Sequence, residues 1–130
     1  MGTTVATSAV ERRRQLRAGL RDLHDAMPAT MRGFGDLHRA ATADGALTTA
    51  EKELMALAIG IAVGCSDCIT LHVHDSLRAG ATRDQVSEAI GVAVMMGGGR
   101  ATMYAVEALA ALDDFQVALS PPMPSGGGER

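Results

Sequence analysis

Aromatic side chains are nearly missing from this chain: one tyrosine, two phenylalanines and no tryptophan, or 2% of 130 residues. With 47% of the residues apolar, the packing falls to Ala, Leu, Val, Ile and Met, which suits closely packed helices. A strong charge of one sign is missing too. The formal net charge of −3 argues against a nucleic-acid binder, and the local run Glu11-Arg12-Arg13-Arg14, with Arg17 and Arg21, reads as the solvated face of a first helix. No apolar run reaches bilayer-spanning length, because Leu54–Val63 is short and ends at Gly64. Met1–Ser8 lacks the apolar core of a signal peptide, so no membrane partner and a cytoplasmic location are expected. Cysteine is limited to Cys65 and Cys68. In a reducing compartment such a pair is catalytic or metal-binding more often than a structural staple.

What is present reads as helix. There is no strand-like alternation and no internal repeat. Residues 1–8 and 120–130 are expected to be disordered, the second because SPPMPSGGGER is rich in proline and glycine. Residues 9–119 form a single all-α domain of six helical segments. The first runs from about Ala9 to Ala26 and stops before Pro28. The second covers about Thr30 to Ala43, with Met31, Phe34, Leu37 and Ala41 in helical register. The third follows Thr48, with Glu51 in the capping-box position, and continues to Val63; it is apolar nearly all round and is expected to be central and buried. The fourth spans about Cys65 to Gly80. The fifth is capped by Thr82 and Gln85 and ends near Met96, before Gly97-Gly98-Gly99. The sixth runs from about Arg100 to Val117, with Met103, Val106, Leu109, Ala110 and Leu112 facing inward. The last two carry more apolar surface than a small monomer hides, which points to a homo-oligomer interface.

The stretch GCSDCITLHVH, Gly64–His74, concentrates the chemistry. At about 100° per residue, Cys65, Cys68 and His72 share one helix face and His74 falls on the opposite one. A four-ligand zinc site is therefore disfavoured: His74 points away, and about 10 Å of rise separates Cys65 from His72. A redox dithiol asks for less. Residues three apart on a helix are within disulfide reach. Cys65 lies at the helix start, where free N–H groups favour a thiolate, and Cys68 has His72 four residues on. Glu53 lies eleven residues before Gly64 and His72 eight after it, about 16 Å and 12 Å along two helices joined at that glycine. The two stand nearly abreast, which suggests a Glu–His–Cys relay. Asp67 reads as a first-turn acid, Glu51 as a capping partner, Tyr104 and the eight methionines as packing, and the glycine run as a helix–helix turn. His24 and His38 have no partner recognisable from spacing and read as surface or core residues.

Glu53, Cys65, Cys68 and His72 together resemble the E-x11-C-x2-C-x3-H signature of the alkylhydroperoxidase D-like branch of the carboxymuconolactone decarboxylase family. The flanks GALTTAEKELMALAIG, HDSLRAGATRDQVSEAI and VMMGGGRATMYAVEALAAL resemble it as well, over roughly Phe34–Phe115. The resemblance implies an all-helical bundle assembled as a trimer or hexamer. It also implies a peroxidase or disulfide reductase with Cys65 and Cys68 as the redox pair, Cys68 as the activated thiol, and Glu53 and His72 as the proton relay. The best-studied peroxidase members carry a histidine just before the second cysteine, where this chain has Asp67. No cofactor is expected. The substrate would be a hydroperoxide or a disulfide, and an external thiol reductant or a peroxiredoxin-type partner would restore the dithiol. Two other readings remain open: a lyase using Glu53 and His72 on a carboxylated ring, and a non-catalytic oligomeric binding or stress protein.

Overall fold

Five helices account for nearly all of residues 6–120, the part of the chain that the computed structural model describes. The expectations for residues 1–5 and 121–130 fall outside it. The helices are α1 (Ala9–Ala26), α2 (Pro28–Thr42), α3 (Thr49–Val63), α4 (Ser66–Arg78) and α5 (Arg83–Leu119), and no strand occurs among the described residues.

Local chemistry sets most of the boundaries. The Ser8 hydroxyl accepts the N–H of Glu11 and caps α1, while the Thr48 hydroxyl accepts that of Glu51 and caps α3. Thr82 and Gln85 form a reciprocal capping box at the start of α5. Pro28 opens α2, where its missing N–H costs nothing. Gly64 closes α3 at φ +76°, a left-handed conformation that favours glycine.

The expected fifth and sixth helices are the two limbs of α5. Gly98, at φ 70° and ψ −152°, reverses the chain in a single residue, so both expected helices are present and follow one another with no loop between them. The reversal is evident from Arg83, whose Nη1 donates to Asp113 (2.7 Å) and Gln116 (2.6 Å). In a straight helix those residues would lie about 45 Å away. By length and composition alone α5 could cross a bilayer; folded at Gly98, it presents two shorter antiparallel limbs instead.

α3, α4 and both limbs of α5 enclose the core, where Leu57, Ile61, Ile69, Val73, Val86, Leu112 and Phe115 are buried. α1 lies across α4 and α5. It is tied to α5 by the Ala9 N–H on Asp114 (2.8 Å) and to α4 by Arg12 on Asp67 (3.2 Å). α2 packs on α1, touches α3 and leaves a gap to α4.

Two burial expectations need correction. α3 is not buried all round: Glu53, Leu57, Gly60 and Ile61 face inward, while Met55, Ile59 and Val63 are exposed. In the second limb of α5 the inward stripe is Ala101, Ala105, Ala108, Ala111, Leu112 and Phe115; of the residues expected inward Leu112 is buried, and Met103, Val106, Leu109 and Ala110 face out. Small residues let the limb approach its neighbours closely, which leaves the bulkier stripe outside. α2 buries no residue, and Phe34 and Leu37 remain exposed.

Candidate active site

The tight connection between α3 and α4 organises the site. Gly64 lets α3 stop sharply, and the Cys65 N–H turns back to the Gly60 carbonyl at 2.9 Å. The Gly64 Cα faces Tyr104 and Arg100, since a Cβ there would lie within 3 Å of both side chains. Cys65 is the N-cap of α4: its sulfur accepts the N–H of Cys68 at 3.2 Å. Cys65 and Cys68 form a disulfide with Cα atoms 5.2 Å apart. Cys68 rests on Gly60, where an added Cβ would come to 3.3 Å from the cysteine Cβ. A bare backbone at Gly60 thus brings the dithiol against α3.

One turn beyond Cys68 on the same face stands His72, its Nδ1 2.6 Å from Glu53 Oε2. Glu53 is 3% exposed, although it is a carboxylate on an otherwise apolar helix face. Burying such a group without a partner would cost several kcal/mol, and His72 is the partner. With Nδ1–H donating to the carboxylate, the imidazole is fixed in orientation and its Nε2 is left free to accept a proton.

His38 is the residue that spacing missed. Its Nε2 lies 4.0 Å from Glu53 Oε1, and its ring stacks against that of His72 at 6.4 Å. Glu53 therefore faces an imidazole from α2 and another from α4. The available signal was register: His38 follows Met31 and Phe34 at helical spacing, on the side of α2 that turns towards the rest of the chain.

The remaining candidates lie elsewhere. His74 is on the far side of α4, bonded to Asp75 (2.8 Å) with its ring edge-on to Phe115. Asp67 pairs with Arg12. His24 lines the cleft described below. For a cation, the grouping that geometry offers among the described residues is His38, Glu53 and Asp75, with ligand atoms within 4.8 Å of one another. It includes neither cysteine, and both acids already accept a histidine N–H.

Residues 28–111 match the carboxymuconolactone decarboxylase family, a span that includes His38, Glu53, both cysteines and His72. The chain is 42% identical over 113 residues to an uncharacterized protein of Cupriavidus necator, covering 87% of this chain and 96% of that one. It is 43% identical over 82 residues to uncharacterized protein 4 in the cox locus of Paracoccus denitrificans, covering 63% of this chain and 74% of that one. Among solved structures, a carboxymuconolactone decarboxylase family protein of Legionella pneumophila superposes with a TM-score of 0.79 at 40% identity, over 82% of this chain and 96% of that one. A family protein of Thermotoga maritima shares the fold, with a TM-score of 0.73 at 24% identity over 82% and 91% of the two chains.

Proposed function

The chain belongs to the carboxymuconolactone decarboxylase family, and from that premise we propose that it is a dithiol oxidoreductase of the alkylhydroperoxidase D-like type. The observation that carries this reading is the buried Glu53–His72 hydrogen bond on the same helical hairpin as the Cys65–Cys68 pair. In the reduced protein, His72 Nε2 takes the Cys68 proton, while Glu53 balances the charge on the imidazolium. The Cys68 thiolate attacks the terminal peroxide oxygen and breaks the O–O bond. The leaving alkoxide takes the proton from His72, giving an alcohol and a Cys68 sulfenic acid. The Cys65 thiol, its ionisation favoured by the Cys68 N–H at the N-cap, then loses its proton and attacks the Cys68 sulfur, and the departing hydroxide takes up that proton and leaves as water as the disulfide forms. Two reducing equivalents from an external thiol or a peroxiredoxin-type partner restore the dithiol. The cytoplasm, where such thiols are maintained, is the proposed setting.

Hydroperoxide-dependent oxidation of an added dithiol tests the proposal. Cys68→Ser should abolish turnover and His72→Ala should lower it about 100-fold. Iodoacetamide should alkylate the reduced wild type at pH 7 faster than it alkylates His72→Ala. Full peroxidase activity in Cys68→Ser would overturn the reading. The Glu53–His72 pair would also serve a lyase acting on a carboxylated ring, and that alternative requires activity to survive Cys65→Ala and Cys68→Ala.

The chain is further proposed to self-associate as a trimer or hexamer through the faces of α3 and α5 that carry Ile59, Val63, Met95, Met96, Met103 and Val106, all more than 60% exposed. A monomeric mass by light scattering at micromolar concentration would exclude this.

A further inference from the structure

α2 does not pack on α4, and the gap between them, roofed by α1, is a cleft of about 400 Å³. That volume falls within the range of small-molecule sites. Its apolar surface comes from Leu20 of α1, Met31 and Phe34 of α2 and Leu71 of α4, and Phe34 is left 62% exposed. Its inner end is His38, 4.0 Å from Glu53. Its α1 wall carries two guanidinium groups, Arg17 and Arg21, and His24 follows them at helical spacing on one face. Neither Arg17 nor Arg21 has a carboxylate within ion-pair distance among the described residues. The one acid in the lining, Asp75, already accepts from His74. Arg13, one turn earlier on α1, has a buried Nε with no hydrogen-bond partner. Burial, and then the nearby Arg17, hold its guanidinium below the usual arginine range, against the opposing pull of Asp75. The lining thus holds two guanidinium groups against the single carboxylate of Asp75, along an apolar cleft that leads to the relay. These cations lie on α1, before the span that matches the family.

We propose that this cleft binds an amphipathic organic acid, its carboxylate held by Arg17 and Arg21 and its apolar body lying on Leu20, Phe34 and Leu71. Guanidinium groups suit this task because they bind a carboxylate through two parallel N–H donors. Resting on the redox reading above, the inference names the preferred substrate class: hydroperoxides that carry a carboxylate, reduced to the hydroxy acid and water while the Cys65–Cys68 dithiol becomes the disulfide.

Calorimetric titration of the full chain with octanoate, and with 1-octanol as the neutral control, tests the site independently of catalysis. Octanoate should bind at one site per chain, at least about tenfold more tightly than octanol. The exposed double substitution Arg17→Gln with Arg21→Gln should remove that advantage, and Arg17→Lys with Arg21→Lys should keep part of it. Equal binding of acid and alcohol, or octanoate binding untouched by the glutamine pair, would overturn the proposal. In turnover, the glutamine pair should raise KM for a carboxylated hydroperoxide about tenfold relative to KM for cumene hydroperoxide. If octanoate binds through the arginines and neither hydroperoxide is reduced, the site stands and the redox reading falls. If both hydroperoxides are reduced with the same KM and octanoate does not bind, the redox reading stands and the site falls.

Discussion

The two halves of the molecule treat their apolar side chains differently. In α3, α4 and α5, Leu57, Ile61, Val73, Val86 and Leu112 are wholly buried. In α1 and α2 the one buried residue is Ala9, while Phe34 and Leu37 are 62% and 63% exposed. The first half holds the dithiol, Glu53 and His72, with Leu71 and Asp75 at one wall of the cleft; the second supplies His38 and the other walls. A relay must be held within a few tenths of an ångström, which close packing provides. A cleft needs surface that packing has left unsatisfied, and few buried contacts also mean that local opening costs little. The chemistry and the access to it therefore come from parts of the chain with opposite packing.

The largest effect should appear where the halves meet. Glu53→Gln should slow peroxide-driven oxidation of the dithiol about 100-fold, because His72 loses the charge that supports its imidazolium. His38→Ala should slow it less than about tenfold, since His38 reaches the same carboxylate only at 4.0 Å and from a half-exposed position. Equal losses would mean that both imidazoles belong to the relay.

Stability should divide along the same line. Leu57→Ala is expected to cost about 3 kcal/mol in urea unfolding, and Phe34→Ala to change stability by less than about 0.5 kcal/mol. Comparable losses would show that the α1–α2 half is as tightly packed as the other. Between these lies Gly64→Ala, at about 2 kcal/mol. It would place a Cβ at φ +76° and within 3 Å of Arg100 and Tyr104.

The smallest effect should be in the connection between α2 and α3. Asp44 accepts the Thr49 backbone N–H at 2.7 Å, which, with the Thr49 hydroxyl, holds its carboxyl below the ordinary 3.8. Folding thus gains from the ionised form. That gain is present above pH 3.8 and is lost as pH falls through the lowered value. Asp44→Asn should slightly lower the melting temperature at pH 7, and the difference from wild type should close as the solution is acidified.

Much of this was legible along the chain. Capping residues placed the starts of α3 and α5 because a cap is a contact between neighbours in sequence. Counting residues on either side of Gly64 set Glu53 beside His72, since helix rise converts sequence distance into position along two antiparallel rods. The same geometry put His74 away from the cysteines.

His38 could not be read in this way, because α2 is joined to α3 by a loop whose path is not set by helix geometry. Nor could the inward stripe of the second α5 limb. Its sequence offers two apolar stripes, and hydropathy favours Met103, Val106 and Leu109 over the alanines that are in fact buried. Local sequence by itself determined where helices begin, where they turn, and which of the dithiol, Glu53 and His72 share a level, because each depends on contacts or regular spacing within one hairpin. The tertiary structure alone decided which apolar stripe faces inward, which histidine from α2 joins Glu53, and where a cationic cleft opens. Those outcomes depend on how closely three or more helices approach one another.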